Sequence, residues 1–336
     1  MLNIALIGCG GMANWHASEW VKLAPEAQVV ALVDPVPAQT AAFQQKYFPN
    51  ARIYASMGDL LADPPAGLNA VNLVTPHTQH FEQAQAALQA GWHVLVEKPM
   101  VTASEHAYAL AALVRKTGLK LGITYQSPYT AEFGYLAAMR DAGELGRVQI
   151  ISGQLSQDWL RGTAGKWRQD PALSGGGQMY DSGAHLLNAI MWLMNEPVVQ
   201  VSCMYDRCGS AVDINGVAIA RFRSGAFASL AIGGNCPQFQ SEVQIQTERY
   251  LVLTDQYGGK LELRRGKLGR CYPHVPNADS PAAGSPHHNF LRATQGLEPL
   301  RAPVRYGVLL SALMDALYKA AETGQVVDVV PVPDDL

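Results

Sequence analysis

Four stretches of the sequence carry residue types whose spacing could do chemistry. The first is Gly8-Cys9-Gly10-Gly11-Met12-Ala13, a G-x-G-x-x-A pattern set between an apolar run and a helical one. Gly8 permits a tight turn, Gly10 lets a pyrophosphate approach the backbone, and Ala13 allows close helix–strand packing, with Gly11 and Met12 in the same loop. The N–H groups and positive dipole end of the following helix would hold phosphate. Asp34 ends the second apolar run in Val33-Asp34-Pro35, 24 residues beyond Gly10. A carboxylate there suits a ribose 2′-hydroxyl and repels a 2′-phosphate. No Lys or Arg stands between Asp34 and Lys46 to neutralise that phosphate, so NAD is favoured over NADP.

The second and third stretches, Thr75-Pro76-His77-Thr78-Gln79-His80 and Glu97-Lys98-Pro99, follow two further apolar runs. Both fall at the carboxyl ends of expected strands, where doubly wound sheets bind ligands. The charge of Lys98 can hold a substrate hydroxyl and ease its deprotonation, and Lys98–Pro99 is a candidate cis peptide. The fourth stretch runs through Trp167-Arg168-Gln169-Asp170-Pro171 to Ser174-Gly175-Gly176-Gly177-Gln178-Met179-Tyr180-Asp181-Ser182-Gly183-Ala184-His185. On a helix, Asp181 and His185 would project from one face about a turn apart. Imidazole suits proton transfer near neutrality, and the carboxylate could orient it or help bind a polyol. Glycines 175–177 let the backbone come close to a ligand. Singly, each feature has a plainer reading: a ligand-free glycine turn, an aspartate opening a turn, a solvated lysine, a structural Asp/His pair.

The elements that must position these residues follow from hydrophobic periodicity. Apolar runs at 3–7, 29–33, 70–74, 93–96 and 119–123 alternate with helical patterns at 12–23, 38–47, 78–90 and 103–116. That alternation implies an α/β unit with a parallel sheet covered on both faces. Beyond residue 123 the rhythm changes. Helices are expected at 131–142, 177–194 and 304–322, and strands at 148–155, 198–204, 217–222, 226–232, 241–247, 250–254 and 260–263. Turn signals such as Ser224-Gly225 and Gly258-Gly259 make the second sheet antiparallel. Pro273–Pro286 reads as a loop. Domains are placed at 1–123 and 124–336, with the helix near 304–322 free to pack back on the first.

A length of 336 residues suits two domains, and 48% hydrophobic with 16% charged residues describes a folded globular chain. A net charge of −3 offers no attraction for nucleic acid or an anionic membrane. No apolar run approaches the ~20 residues that span a bilayer, and no Lys or Arg precedes Lys22, so a cytoplasmic protein is expected. Five scattered cysteines read as reduced thiols. Cys203 and Cys208 lack a second Cys or His pair, so no metal site is expected. Trp15, His16 and Trp20 read as packing residues. His287 and His288 precede a helical stretch, one of them able to reach the rim of a site.

Together, Gly8–Ala13, Thr75–His80, Glu97-Lys98-Pro99, Trp167-Arg168 and the Gly-rich segment ending in His185 resemble the Gfo/Idh/MocA oxidoreductases over essentially the whole chain. The resemblance implies a Rossmann domain and a C-terminal α+β domain on a large open, mainly antiparallel sheet that pairs subunits into homodimers or homotetramers. It implies NAD(P)-dependent hydride transfer at a hydroxyl or ketone carbon of a sugar, inositol or related polyol (EC 1.1.1.-). It casts Lys98, Asp181 and His185 as catalytic around the reacting carbon. Cofactor contacts then fall on the glycine loop, Asp34, Thr75, Pro76, His77, His80, Glu97, Lys98, Gln126, Trp167 and Arg168. Substrate contacts fall on Lys98, Arg168, Asp181, His185 and Asn188. Asn188 stands where the family often has Asp, and Tyr125-Gln126-Ser127-Pro128-Tyr129 lacks an arginine–aromatic pair, which favours a neutral sugar. Two alternatives share the fold: a glycoside-cleaving enzyme that recycles NAD, and a non-catalytic NAD- or sugar-sensing protein.

Overall fold

The structure, a computed structural model, describes residues 1–266, 269–271, 284–334 and 336. The chain divides into two compact units, the first formed by residues 1–101, 105–124 and 285–304 and the second by 102–104, 125–284 and 305–336. Most of the loop expected at Pro273–Pro286 lies outside the described residues, and Pro286 itself opens a helix, Pro286–Thr294.

Six strands make the sheet of the first unit: β1 (Leu2–Ile7), β2 (Ala27–Val33), β3 (Arg52–Tyr54), β4 (Ala70–Leu73), β5 (His93–Val96) and β6 (Leu121–Ile123). They pair in parallel in the order β3-β2-β1-β4-β5-β6. The central strands are buried along both faces, as Ile4, Leu6, Val71 and Val94 show, so they read as continuous apolar runs. The short edge strand β3 and the helix Met57–Ala62 escape the sequence reading. Strand order reverses between β1 and β4, which brings the loop after Ile7 beside the loop after Leu73. That is where doubly wound sheets hold their ligands.

Helix Pro286–Thr294 belongs to this first unit. Its Phe290 and Leu291 share a core with Leu6, Trp20 and Leu95, and the Phe290 and Trp20 rings lie 6.4 Å apart. Trp20 donates a hydrogen bond to Asn72 (2.9 Å) and packs as expected. His287 lies within the helix rather than before it and is fully buried, whereas His288 faces solvent.

In the second unit, β7 (Val148–Ser156), β8 (Val198–Asp206), β9 (Asn215–Phe222), β10 (Phe227–Gly233), β11 (Gln240–Thr247), β12 (Leu251–Thr254), β13 (Glu262–Arg265), β14 (Gly269–Cys271) and β15 (Val327–Asp328) form one sheet. Their order is β14-β13-β12-β11-β7-β10-β9-β8-β15. All neighbours are antiparallel except β7 and β10. Helix Gly183–Met194 packs so closely on β7 that a Cβ at Gly153 would meet Ile190 at 3.0 Å. The other face of the sheet is open: Met204, Val217, Ile219 and Phe227 are about half exposed or more. A concavity of about 1300 Å³ lies along it, reached by Met204, Ile219 and Phe239 and by none of the expected catalytic residues. Among the described residues no helix is long and apolar enough to cross a membrane, and Cys9, Cys203, Cys208 and Cys236 are free thiols.

If the 285–304 segment is integral to the first unit, Phe290→Ala destabilises it by about 3–5 kcal/mol. Urea unfolding followed by tryptophan fluorescence would show this, since Trp20 lies against Phe290; an unchanged midpoint would contradict it.

Candidate active site

In the first unit the glycine loop begins where β1 ends. Gly8 sits at φ +89°, and a Cβ there would lie 2.6 Å from the Val74 carbonyl oxygen, so only glycine fits this crossing of the two loops. At Gly10 and Gly11 a Cβ would meet nothing within 4 Å, which leaves the loop backbone open to a ligand. Helix Ala13–Lys22 starts at once, with no side chain capping its first turn. Asp34 lies beside this loop: the Cys9 amide donates to its Oδ2 and the Val36 amide to its Oδ1, each at 2.8 Å. Its carboxylate thus ties the end of β2 to the glycine turn, and burial with the Asp34 charge pushes the Cys9 thiol up to about 12.

Thr75 donates to Gln83 at 2.6 Å, and His77 is buried. His80 is fully buried, with Nδ1 2.8 Å from the Pro99 carbonyl and Nε2 2.9 Å from the Thr75 carbonyl. Its ring therefore lies inside the unit, between the loop after β4 and the loop after β5. Burial holds His80 below the usual histidine range, against the pull of those two carbonyls.

Glu97 is buried yet ionised. Burial drives its carboxyl up, but the hydrogen bond and charge of His16, the charge of Lys98 and the Thr124 hydroxyl outweigh this and hold it at about 2. His16 Nε2 lies 2.9 Å from Glu97 Oε1, and the Thr124 hydroxyl donates to the same oxygen at 2.5 Å. Lys98 follows, nearly buried, and its bond to Pro99 is cis.

In the second unit the expected helix at 177–194 starts only at Gly183. Residues 177–182 are turns, so Asp181 and His185 do not share a helix: Asp181 precedes it and His185 lies in its first turn. The cause is Asp213, far along the chain. Its buried carboxylate accepts from the Gly177 amide (2.7 Å), the Met179 amide (2.8 Å) and the Tyr318 hydroxyl (2.6 Å). A Cβ at Gly177 would stand 1.9 Å from the Asp213 carbonyl oxygen, so the segment passes where no side chain fits.

Asp181 is 5% exposed, and its Oδ2 accepts from Trp159 Nε1 (2.8 Å) and Arg168 Nε (3.1 Å). Arg168 also lies over the Trp167 ring at 4.5 Å. The His185 ring meets Tyr257 edge-on at 5.6 Å. Burial raises the Tyr257 hydroxyl, and the charges of Asp181 and Asp255 raise it further. Asp181, Arg168, Trp159, His185 and Tyr257 are thus linked within one unit. Gln126 is exposed, and Asn188 is fully buried with its amide 3.4 Å from the Ser127 hydroxyl. Trp159, Asp213 and Tyr257 lie in no motif, and only their long-range contacts reveal them.

The open glycine turn at a strand-order switch, with Asp34 at the end of β2, is the architecture of a dinucleotide-binding domain. Residues 2–125 match the oxidoreductase family, NAD-binding Rossmann fold, and residues 133–252 match the GFO/IDH/MocA C-terminal domain. The chain belongs to the GFO/IDH/MocA oxidoreductase family, and its first unit is an NAD-binding domain. Its relatives include a D-glucoside 3-dehydrogenase of Escherichia coli (strain K12), 24% identical and matched over 96% of each chain. A myo-inositol dehydrogenase of Streptomyces leeuwenhoekii is 28% identical over 60% of this chain, which spans 58% of that protein. Among solved structures, the WlbA dehydrogenase of Bordetella pertussis in complex with NADH and UDP-GlcNAcA shares the fold with a TM-score of 0.85, at 23% identity over 99% of this chain and 98% of that one.

Two outcomes test the geometry. Asp213→Ala strands two buried amides and a hydroxyl and lowers unfolding free energy by about 3 kcal/mol in chemical denaturation; a loss under about 0.5 kcal/mol would refute the clamp. Glu97 is held below its ordinary value of 4.5 at about 2, so its stabilising contribution is complete above about pH 4.5 and lost as pH falls through about 2. Glu97→Gln removes that acid-side slope, which melting curves taken across this pH range measure directly.

Proposed function

We propose that this protein is an NAD-dependent dehydrogenase or reductase acting on one hydroxyl or ketone carbon of a neutral sugar, inositol or related polyol. The observation that carries the reading is the buried Asp181 carboxylate, held by Trp159 and Arg168 with His185 one short turn further on. The names of the glucoside and inositol dehydrogenases among its relatives support the substrate class. Arg168 gives its Nε to Asp181, so its charge is matched within the chain, which favours a neutral substrate over a phosphorylated or carboxylated one.

Bound NAD supplies the hydride acceptor. The chain's own residues do the rest. Lys98 holds the reacting oxygen and stabilises its developing negative charge. The His185 imidazole takes the hydroxyl proton as the hydride leaves the same carbon. Asp181 fixes the substrate's orientation, and Tyr257 adds a hydroxyl beside the imidazole. General acid–base help of this kind is worth roughly 10²–10⁴ in rate.

The open face of the second sheet supports a homodimer or homotetramer. Its exposed Met204, Val217 and Ile219 form an apolar strip that a second copy would cover.

A panel of aldoses, inositols, glycosides and keto-sugars assayed with NAD(H) and NADP(H) by nicotinamide absorbance is the direct test. Turnover with NAD on a neutral sugar or polyol is expected, and no turnover across the panel would sink the reading. Glycoside cleavage without net NADH would replace it with the NAD-recycling alternative. Lys98→Met lowers kcat by about 10²–10⁴ with NAD affinity unchanged. Ile219→Asp shifts the species seen by light scattering to the monomer, whereas a wild type that is already monomeric would refute the pairing.

A further inference from the structure

Lys98 is bracketed by two residues, and each is gripped by a fully buried histidine. On one side Glu97 Oε1 lies 2.9 Å from His16 Nε2; on the other the Pro99 carbonyl lies 2.8 Å from His80 Nδ1. Both rings are 0% exposed. The proposal that Lys98 acts on substrate does not use either ring.

The direction of the bond to Glu97 follows from its charge. An ionised carboxylate only accepts, so His16 Nε2 carries the hydrogen that reaches Glu97. His16 Nδ1 lies 2.9 Å from His287 Nε2. Burial, with the His16 and Lys22 charges, keeps His287 well below the ordinary histidine range. The His287 contact fixes the His16 ring whichever of the two facing nitrogens carries the hydrogen. The His287 ring is itself seated edge-on against Trp15 at 5.0 Å and Trp20 at 4.8 Å. A carboxylate fixed in this way holds the start of the Lys98 segment. At the other end His80 Nδ1 faces the Pro99 carbonyl and Nε2 the Thr75 carbonyl, and a neutral ring, with its single N–H, donates to one of the two.

We propose that His16 and His80 are positioning residues for Lys98, His16 acting through the Glu97 carboxylate and His80 through the Pro99 carbonyl. The inference rests on the role given to Lys98 above. It goes further by assigning the direction of the lysine to two rings that touch neither substrate nor cofactor. A displacement of about 1 Å in a reacting group costs on the order of 10² in rate, which sets the size of the effect.

Paired amide substitutions test it, because Gln places its amide donor near the Nε2 position of a histidine and Asn near Nδ1. His16→Gln keeps the donor to Glu97, and His16→Asn moves it to the His287 side. His80→Asn keeps the donor to the Pro99 carbonyl, and His80→Gln moves it to Thr75. In the full-length enzyme, His16→Gln and His80→Asn are expected to stay within about threefold of the wild-type kcat. His16→Asn and His80→Gln are expected to lose about 10–100-fold with KM for NAD unchanged. Equal losses within each pair would overturn the proposal, since a role in packing alone does not distinguish the two amides. An independent readout is the ¹³C side-chain signal of Lys98 in lysine-labelled protein, identified by its disappearance in Lys98→Arg. It should move toward that of solvent-exposed lysines in His16→Asn and His80→Gln only; an unmoved signal in both overturns the positioning role. That signal needs no substrate, so a wild type inert toward every sugar would sink the dehydrogenase reading and leave this test standing.

Discussion

Among the described residues three carboxylates are withdrawn from water, and each is matched with donors inside the fold. An unpaired buried charge costs several kcal/mol, whereas one met by good hydrogen bonds can be kept. Glu97 is met by His16 and Thr124, Asp181 by Trp159 and Arg168, and Asp213 by two amides and Tyr318. The donors come from distant parts of the chain. Each carboxylate therefore pins segments that propensity alone would leave loose. The two that lie in or next to the candidate chemistry are set by this constraint, and the third shapes the turn that leads to Asp181.

The parallel sheet of the first unit was legible because its strands are buried on both faces and separated by alanine- and glutamine-rich helices. The glycine loop and Asp34 were legible for a related reason: a dinucleotide site is encoded locally, in one turn and one strand end. The edge strand Arg52–Tyr54 was not, being three residues long and partly exposed. The helix at 177–194 was drawn six residues too early because apolar periodicity and the Asp181/His185 spacing both fit a helix. What unwinds its start is Asp213, which lies outside that sequence window. His16 was legible only as a packing residue. Its pairing with Glu97 and His287 depends on three segments far apart in sequence. Asn188 looked like a polar site residue by position, but the helix turns it inward toward Ser127.

The second sheet divides its labour between two faces. On one, small residues such as Gly153 let a helix settle against the strands, and that helix carries His185. On the other, alternate residues of β8 and β9 leave apolar side chains uncovered. A single alternating pattern thus supports a packed core and a surface suited to association.

The first unit is completed by residues 285–304, contributed after residues 125–284 of the second. During synthesis the nucleotide-binding half cannot finish as it emerges, because His287 and Phe290 are still to be made while Trp20 and His16 wait beside an unfilled space. A chain stopped near residue 284 would retain the glycine loop and all six strands yet lack its last wall.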